Sequence, residues 1–281
     1  MRLSEYSFKN FQFLGNSEGG THTCIAMPQY RLLFDTGIGS PKLTDYPLIL
    51  LSHGHLDHAA GLAYLISQRS LRKLPPPDIY VPPEVHEPLN QIMQLWGQIE
   101  GYQSQYNLHS VEYGHHYPLK GNLFFEAVPS KHRVPSNGYI IAEKLQKLKP
   151  EYLNLPGKEI AKRKHAGEDL FTEQYQPLVT FSGDTQIEFV VENQIVQDSK
   201  ILFLECTYIC EKRPVQRARD WGHIHLDEIV ANAELFRNVE KLFLIHFSPR
   251  YGRKEIEETL KRKLPEWLYE RTTPFLTIRE K

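Results

Sequence analysis

Three histidines and one carboxylate lie within six residues of this chain, directly after a short apolar run. The run covers residues 48–51, and the polar side chains are His53, His55, Asp57 and His58. A short apolar run of this kind is consistent with a buried strand, and in layered α/β folds sites form where such strands end. Imidazole nitrogen and carboxylate oxygen are ligands that zinc accepts. The motif therefore predicts a metal site at the carboxyl end of a buried strand.

The composition is that of an ordinary globular chain. With 281 residues, 41% hydrophobic residues and a net charge of −1, the chain has a sizeable core and no global basic field. No apolar stretch approaches the roughly 20 residues that span a bilayer, so we expect no membrane segment. The first residues lack the apolar core of a signal peptide. We expect a cytoplasmic protein, with a plastid location as the alternative for a plant-like source.

The three cysteines are too few for a disulfide framework, which favours a reducing compartment. They are Cys24, Cys206 and Cys210. The last two are close enough in the sequence for half of a metal site. Because a second cysteine pair is lacking, we interpret them as buried small side chains.

Basic residues are concentrated in two segments. Residues 143–165 contain seven of them, against three acids: Lys144, Lys147, Lys149, Lys158, Lys162, Arg163 and Lys164. Residues 250–263 contain Arg250, Arg253, Lys254, Lys261, Arg262 and Lys263. Such clusters are usually solvated faces, but they also supply the local charge that a polyanion needs.

The order of apolar patterns predicts an α/β fold. Strand-like runs cover residues 6–14, 22–27, 31–35, 47–51, 78–81, 110–113, 123–128, 138–142, 177–182, 201–205, 241–246 and 275–278. Helical patterns cover residues 59–73, 84–99, 226–236 and 254–264. Residues 143–176 break the alternation, because they are polar and basic and contain Pro150 and Pro156. We expect one domain over residues 1–281, with a basic insertion or short arm at about 143–176.

The spacing within the first motif allows two metal ions. His53 and His55 are two residues apart, so in extended backbone both imidazoles point to the same side. Asp57 and His58 face another direction at the start of a helix and are available to a second ion. Two metals about 3.5–4 Å apart are a common device for phosphoester cleavage. The alternative is a surface loop that is rich in histidine by chance.

The pattern His53-x-His55-x-Asp57-His58, followed by Gly61, resembles the signature of the metallo-β-lactamase family. That family completes a two-zinc site with a further His, an Asp and a final His, which His132, Asp184 and His246 match in order. The resemblance implies a four-layer αβ/βα sandwich and two Zn²⁺ per chain, with Mn²⁺ or another divalent metal as alternatives. It assigns one ion to His53, His55 and His132, the other to Asp57, His58 and His246, and the bridging position to Asp184.

Three further motifs are similar to those of the short, plant-type ribonuclease Z branch. They are His246-Phe247-Ser248-Pro249-Arg250-Tyr251, Glu205-Cys206-Thr207 and Gly222-His223-Ile224-His225. The resemblance implies an endoribonuclease that removes the 3′ trailer of precursor tRNA through a metal-activated hydroxide and leaves a 3′-hydroxyl. It also implies a homodimer, for which the apolar helix at 59–73 is the expected contact.

The same resemblance suggests roles for individual side chains. Asp57 would orient or deprotonate the nucleophile, and His223, held by Glu205, would protonate the leaving oxygen. His225 is a weaker candidate for that role and is equally consistent with a helix cap. Arg250 would contact phosphate, because its planar guanidinium matches phosphate oxygens. The neighbouring Ser248 and Tyr251 are the other candidate substrate contacts.

Two other functions remain compatible with the same motifs. The first is a two-metal hydrolase of a small phosphodiester, ester or thioester, which would need neither the arm nor Arg250. The second is a non-catalytic RNA-binding scaffold, which would need no complete ligand set.

Overall fold

The computed structural model describes residues 2–277, whose strands form two seven-stranded sheets. The first sheet contains β1 (Ser4–Phe8), β2 (Phe11–Glu18), β3 (His22–Met27), β4 (Leu32–Phe34), β5 (Leu48–Leu50), β6 (Asp78–Val81) and β7 (Asn107–Ser110). The second contains β8 (Tyr117–Pro118), β9 (Leu123–Ser130), β10 (Ser136–Leu148), β11 (Phe171–Phe181), β12 (Ile201–Glu205), β13 (Lys241–Ile245) and β14 (Thr272–Pro274).

Most helices follow the parallel strands. They are α1 (Leu56–Ala59), α2 (Gly61–Leu71), α3 (Pro83–Glu100), α4 (Gly157–His165), α5 (Glu188–Val191), α6 (Gln194–Gln197), α7 (Val215–Asp220), α8 (Leu226–Ala231), α9 (Arg253–Lys263) and α10 (Glu266–Arg271). Short 3₁₀ turns occur at Pro28–Tyr30, Pro41–Leu43, Pro150–Tyr152 and Ala233–Phe236. None of the helices within residues 2–277 combines the length and the apolar character that a membrane span requires.

Both sheets use the same pairing scheme. In the first sheet β1 to β4 pair antiparallel and β4 to β7 pair parallel. In the second sheet β8 to β11 pair antiparallel and β11 to β14 pair parallel. Each half of the chain therefore ends its sheet with parallel strands, and the loops after parallel strands are where α/β folds place their sites.

Aromatic side chains from both sheets form the core between them. The ring centroids of Phe13 and Phe203 are 4.8 Å apart, and those of Phe34 and Phe181 are 4.9 Å apart. Each pair joins one strand of the first sheet to one strand of the second. The two sheets therefore pack face to face.

Helices cover the outer faces of both sheets and complete four layers. In β12, Phe203 belongs to the core between the sheets, whereas Leu202 and Leu204 belong to the cluster beneath the helices. This alternation follows from the two-residue period of a strand. A third cluster lies between the first sheet and the helices α2 and α3, and includes Leu65 and Met93. The predicted α/β class with a four-layer αβ/βα sandwich is confirmed.

The segment at 143–176 forms an exposed hairpin arm. The outer parts of β10 and β11 pair from Glu143 with Gln176 to Leu148 with Phe171. The turn between them contains α4, which has no buried side chain and has Lys162, Arg163, Lys164 and His165 in its last turn. Because no residue of α4 is buried, core packing does not constrain its sequence. Its exposed positions can therefore carry positive charge.

Several predicted boundaries differ from the structure, beginning with the run expected over 6–14, which is divided between the paired strands β1 and β2. Residues 110–113 were expected to form a strand, but β7 ends at Ser110 because its partner β6 ends at Val81. The helix expected over 226–236 is interrupted at Asn232, whose side chain donates to Glu228 O at 2.8 Å. The strand expected over 275–278 is instead Thr272–Pro274, and Ile278 lies outside the described residues.

The cysteines near β12 lie in or against the hydrophobic core. Cys206 is fully buried in the cluster beneath the helices, and Cys210 packs against the same cluster. Among residues 2–277 no cysteine belongs to a group of potential metal ligands. This agrees with their interpretation as small core side chains.

Truncation of Phe203 tests the core between the sheets. We expect Phe203→Ala to lower the free energy of unfolding by about 3–5 kcal/mol, because the change removes buried apolar surface and leaves a cavity. Leu153→Ala is the control, since that side chain is 64% exposed and should change the free energy by less than about 0.5 kcal/mol. Denaturant titration measures both values. Equal effects would contradict the assignment.

Candidate metal centre

The predicted metal ligands converge at one end of the sandwich, although they are far apart in the sequence. The elements that position them are the loop after β5 for His53 and His55, α1 for Asp57 and His58, and the ends of β9, β11 and β13 for His132, Asp184 and His246. The first four belong to the half of the chain that forms the first sheet, and the last three to the half that forms the second. The site therefore exists only when both halves are packed together.

One group of potential ligands consists of His53, His55, His132 and Asp184, whose donor atoms all lie within 4.8 Å of one another. His132 Nε2 lies 3.4 Å from His55 Nδ1. Asp184 Oδ2 lies 3.7 Å from His53 Nε2 and 4.0 Å from His132 Nε2. Three imidazoles and one carboxylate thus face a common point.

A second group consists of Asp57, His58 and His246. His246 Nε2 lies 3.3 Å from both His58 Nε2 and Asp57 Oδ2. The other oxygen of Asp184, Oδ1, lies 3.3 Å from His58 Nε2 and 3.4 Å from His246 Nε2. Asp184 therefore presents one oxygen to each group.

Two buried atoms indicate that the centre is built for cations. His53 Nε2 is buried without a hydrogen-bond partner among residues 2–277, and Asp184 Oδ1 approaches two imidazoles without a well-aligned hydrogen bond. Burial, with a smaller contribution from His58, lowers the pKa of His53 well below its ordinary value. A neutral imidazole has a free lone pair, as a metal ligand requires. The donor set of imidazoles and carboxylates fits zinc or another divalent transition metal.

Asp35 orients His58 and was missed by the sequence analysis. Its carboxylate accepts hydrogen bonds from His58 Nδ1 at 2.6 Å, Ser52 N at 2.6 Å and Ser52 Oγ at 2.8 Å. Because Nδ1 is occupied, Nε2 of His58 is directed into the centre, which is the usual arrangement of a histidine ligand. The available signal was a carboxylate directly after the apolar run of β4, the same type of signal that pointed to His53.

Glu205 holds two of the histidines. Its Oε1 accepts a hydrogen bond from His223 Nδ1 at 2.7 Å. Its Oε2 accepts one from Thr207 Oγ1 at 2.8 Å, and Thr207 Oγ1 in turn accepts one from His246 Nδ1 at 2.9 Å. Glu205 is fully buried, so this buried carboxylate fixes the rings of His223 and His246 together.

His223 lies at the edge of the centre and is suited to carry a proton. Although burial by itself lowers its pKa, the Glu205 carboxylate outweighs burial and raises the pKa to about 9. Its ring lies 5.1 Å from that of His132 and 5.3 Å from that of His246. His223 also forms a possible ligand group with Asp184 and His246. Its Nδ1 is already bound to Glu205, however, which leaves Nε2 for exchange with a substrate.

Asp57 is ionised and partly accessible. Burial by itself raises its pKa, but the hydrogen bond with His246 and the attraction of His58 and His246 outweigh burial and lower the pKa to about 2. Its Oδ2 also accepts a hydrogen bond from Gly20 N at 2.9 Å. The side chain keeps 12% of its surface exposed, so a ligand from solvent can approach it.

The remaining predicted residues have different positions. His225 caps α8, since its Nδ1 accepts a hydrogen bond from Asp227 N at 3.0 Å. Ser248 and Tyr251 are buried, and the hydroxyl of Tyr251 accepts a hydrogen bond from Ile209 N. Arg250 is exposed and lines a cavity of about 770 Å³ with Lys212, Arg213 and Arg217. Of the three predicted substrate contacts, only Arg250 presents its side chain to solvent.

Comparison with known proteins agrees with this geometry. The family described as "Beta-lactamase superfamily domain" matches residues 30–247. The protein named tRNase Z TRZ1 of Arabidopsis thaliana is 36% identical over 248 residues, which cover 88% of each chain. The Arabidopsis thaliana protein named tRNase Z TRZ2, chloroplastic, is 30% identical and is matched over 90% of this chain and 72% of its own length.

A solved structure shares the fold. Human short-form tRNase Z (ELAC1) superimposes with a TM-score of 0.59 at 17% identity, covering 94% of this chain and 96% of the human chain. This likeness extends the agreement from sequence to the arrangement of the sheets. The resemblance drawn from the histidine motif is confirmed, and the chain belongs to the beta-lactamase superfamily and, within it, to the tRNase Z family of metal-dependent hydrolases.

Proposed function

We propose that this protein is a zinc-dependent endoribonuclease that removes the 3′ trailer of precursor tRNA and leaves a 3′-hydroxyl on the tRNA. One observation carries the proposal: a double group of potential metal ligands around Asp184 lies beside a histidine that Glu205 holds ready to carry a proton. The names of the relatives supply the substrate class. Phosphodiester cleavage needs both a nucleophile and protonation of the leaving oxygen, and the centre has residues for each.

The two groups of ligands suit two divalent ions. His53, His55 and His132 would hold one ion, Asp57, His58 and His246 the other, and Asp184 would face both. Zinc is the metal that this set of imidazoles and carboxylates favours, with Mn²⁺ as an alternative. Divalent ions held by these residues would supply Lewis-acid chemistry, which activates water and polarises a phosphoryl oxygen.

Asp57 positions the attacking water. Its pKa of about 2 keeps the carboxylate ionised at neutral pH, so it accepts a hydrogen bond from a water that enters the centre. The backbone N–H of Gly20 holds the same carboxylate oxygen. This contact fixes the direction in which Asp57 presents its negative charge.

His223 protonates the leaving 3′-oxygen of the ribose. Although burial lowers the pKa of His223, the carboxylate of Glu205 raises it, so the imidazole is suited to hold a proton and act as a general acid. Glu205 binds Nδ1 and directs Nε2 to the substrate. After cleavage the proton resides on the new 3′-hydroxyl, and His223 regains its proton from solvent.

The arm and Arg250 supply contacts to the body of the tRNA. The last turn of α4 carries Lys162, Arg163 and Lys164 on a helix without buried residues. Arg250 shares its cavity with further cations. Lysine and arginine at such positions neutralise phosphates without reading sequence, and folded RNA is recognised mainly by its shape.

We also propose a homodimer, with a contact that differs from the one expected. The helix α2 buries Leu62, Leu65 and Ile66 against the first sheet and exposes Leu71 and part of Tyr64. The larger exposed apolar surface lies on α3, where Ile92, Leu95, Trp96 and Ile99 have 47–74% of their surface exposed. A helix that is apolar on its outer face favours burial against a partner. We propose that α3 packs against a second copy of this chain.

Cleavage of a precursor tRNA with a 3′ trailer tests the proposed function. We expect cleavage at the 3′ end of the mature tRNA, a 3′-hydroxyl on the product, loss of activity with a chelator and recovery on addition of Zn²⁺ or Mn²⁺. The products are mapped by gel electrophoresis and end analysis. Hydrolysis of small phosphodiesters or thioesters with an intact precursor tRNA would instead establish the small-substrate hydrolase.

Replacement of His223 tests the general acid. We expect His223→Ala to lower kcat for precursor tRNA by about 10²–10⁴-fold, the usual contribution of a positioned acid. Hydrolysis of bis(p-nitrophenyl) phosphate should fall far less, because its nitrophenolate leaves without a proton. The two substrates are compared on the same enzyme preparation, with the metal content measured. Equal losses on both substrates would contradict a role in protonating the leaving group.

A further inference from the structure

An exposed tryptophan with two arginines over its ring lies on the segment next to the metal centre. Trp221 has 43% of its surface exposed. The guanidinium carbon of Arg133 lies 4.7 Å from the centre of its ring, and that of Arg217 lies 5.3 Å from it. Trp221 is two residues before His223, and Arg133 directly follows His132. The group is thus joined through the backbone to both a potential metal ligand and the proposed acid.

Close packing fixes this group relative to the centre. The carbonyl of Gly222, next to Trp221, accepts a hydrogen bond from His132 Nδ1 at 2.8 Å. A Cβ atom added at Gly222 would lie 2.8 Å from His132 Nδ1 and 3.0 Å from Arg133 N. The backbone of the tryptophan segment therefore contacts the backbone of the histidine segment, and neither can shift without moving the other.

Trp267 is a second tryptophan flanked by two arginines, and there the arginines have a structural role. Trp267 has Arg237 at 3.9 Å and Arg271 at 5.6 Å from its ring. There Arg237 binds the Glu234 carboxylate through two hydrogen bonds. Arg271 donates to the carbonyls of Arg237 and Val239. Both cations have protein acceptors, and the ring packs against the cluster beneath the helices.

The guanidinium groups beside Trp221 differ in this respect. Within residues 2–277 no ion pair joins Arg133 or Arg217 to a carboxylate, and both guanidinium groups lie over the tryptophan ring. Both side chains are exposed. Two cations and one aromatic ring therefore face solvent on the segments that carry His132 and His223.

We infer that Trp221, Arg133 and Arg217 form a stacking subsite for an unpaired nucleobase next to the scissile phosphate, an inference that rests on the proposed function. Aromatic rings and guanidinium planes both stack on bases, and the arginine N–H groups bind the adjoining phosphates. A paired base hides its faces within the helix, so the subsite selects a nucleotide outside the duplex. It thereby places the single-stranded end of the substrate against the metal centre.

Three variants test the subsite. Trp221→Ala should raise KM for precursor tRNA by about 5- to 100-fold and affect KM more than kcat, since loss of a stacked base weakens binding by that amount. Trp221→Phe should retain most of the affinity because it keeps an aromatic face. Trp267→Ala is the matched control, with the same pair of flanking arginines in another part of the fold, and should leave KM unchanged.

Abasic substrates identify the base that stacks. Precursor tRNAs with one abasic nucleotide at each position around the cleavage site are compared on wild type and Trp221→Ala. At one unpaired position the abasic change should weaken binding to wild type but not to the variant, as coupled partners require. Two results would overturn the subsite alone, provided that wild type cleaves normally. One is that no abasic position behaves in this way, and the other is an unchanged KM for Trp221→Ala. Failure of wild type to cleave would overturn the proposed function and the subsite with it.

Discussion

The carboxylate of Asp184 is the feature on which the rest of the centre depends. It is almost completely buried, and its two oxygens lie 3.3–4.0 Å from imidazole nitrogens of His53, His58, His132 and His246. A buried carboxylate is costly unless positive charge or donors surround it. The histidines come from both sheets, so the carboxylate is stabilised only in the assembled sandwich. The face-to-face packing of the two sheets thus both brings Phe13 against Phe203 and assembles the ligands around Asp184.

Two other buried carboxylates set the orientation of the ligands. Asp35 binds the outer nitrogen of His58 on the side of the first sheet. Glu205 binds His223 directly and His246 through Thr207 on the side of the second sheet. Each ring is held by its Nδ1, so its Nε2 is directed to the interior before any ion arrives. Such support raises metal affinity because the ligands need little reorganisation.

The sequence was informative where local pattern decides the outcome. The apolar runs around His53 and His246 predict buried strands, and the spacing of His53 and His55 predicts a shared direction. The structure places these side chains together as expected. The exact ends of strands depend on the neighbouring strand and not on local pattern. For example, β7 ends where its partner β6 ends. The break at Asn232 depends on one side-chain hydrogen bond, which composition does not reveal.

Roles that depend on contacts between distant segments were not predictable. Asp35 is separated from His58 by 23 positions, so its place directly after β4 marks it as a candidate polar residue of the site but does not identify His58 as its partner. The sequence allows His225 to be an acid or a cap; its Nδ1 accepts a hydrogen bond from Asp227 N, and its Nε2 lies 3.2 Å from the carbonyl oxygen of Cys210 in another segment. Trp221 gave no signal in the sequence, because its meaning comes from the approach of Arg133, which lies in the loop after β9. In each case the partner comes from a different segment of the chain.

The position of metal ions in crystals grown with Zn²⁺ tests the central claim most directly. Anomalous scattering at the zinc edge locates the ions independently of any activity. We predict two sites about 3.5–4 Å apart, one at His53, His55 and His132 and the other at Asp57, His58 and His246, with an oxygen of Asp184 on each. A single ion, or two ions with Asp184 bound to neither, would contradict the account.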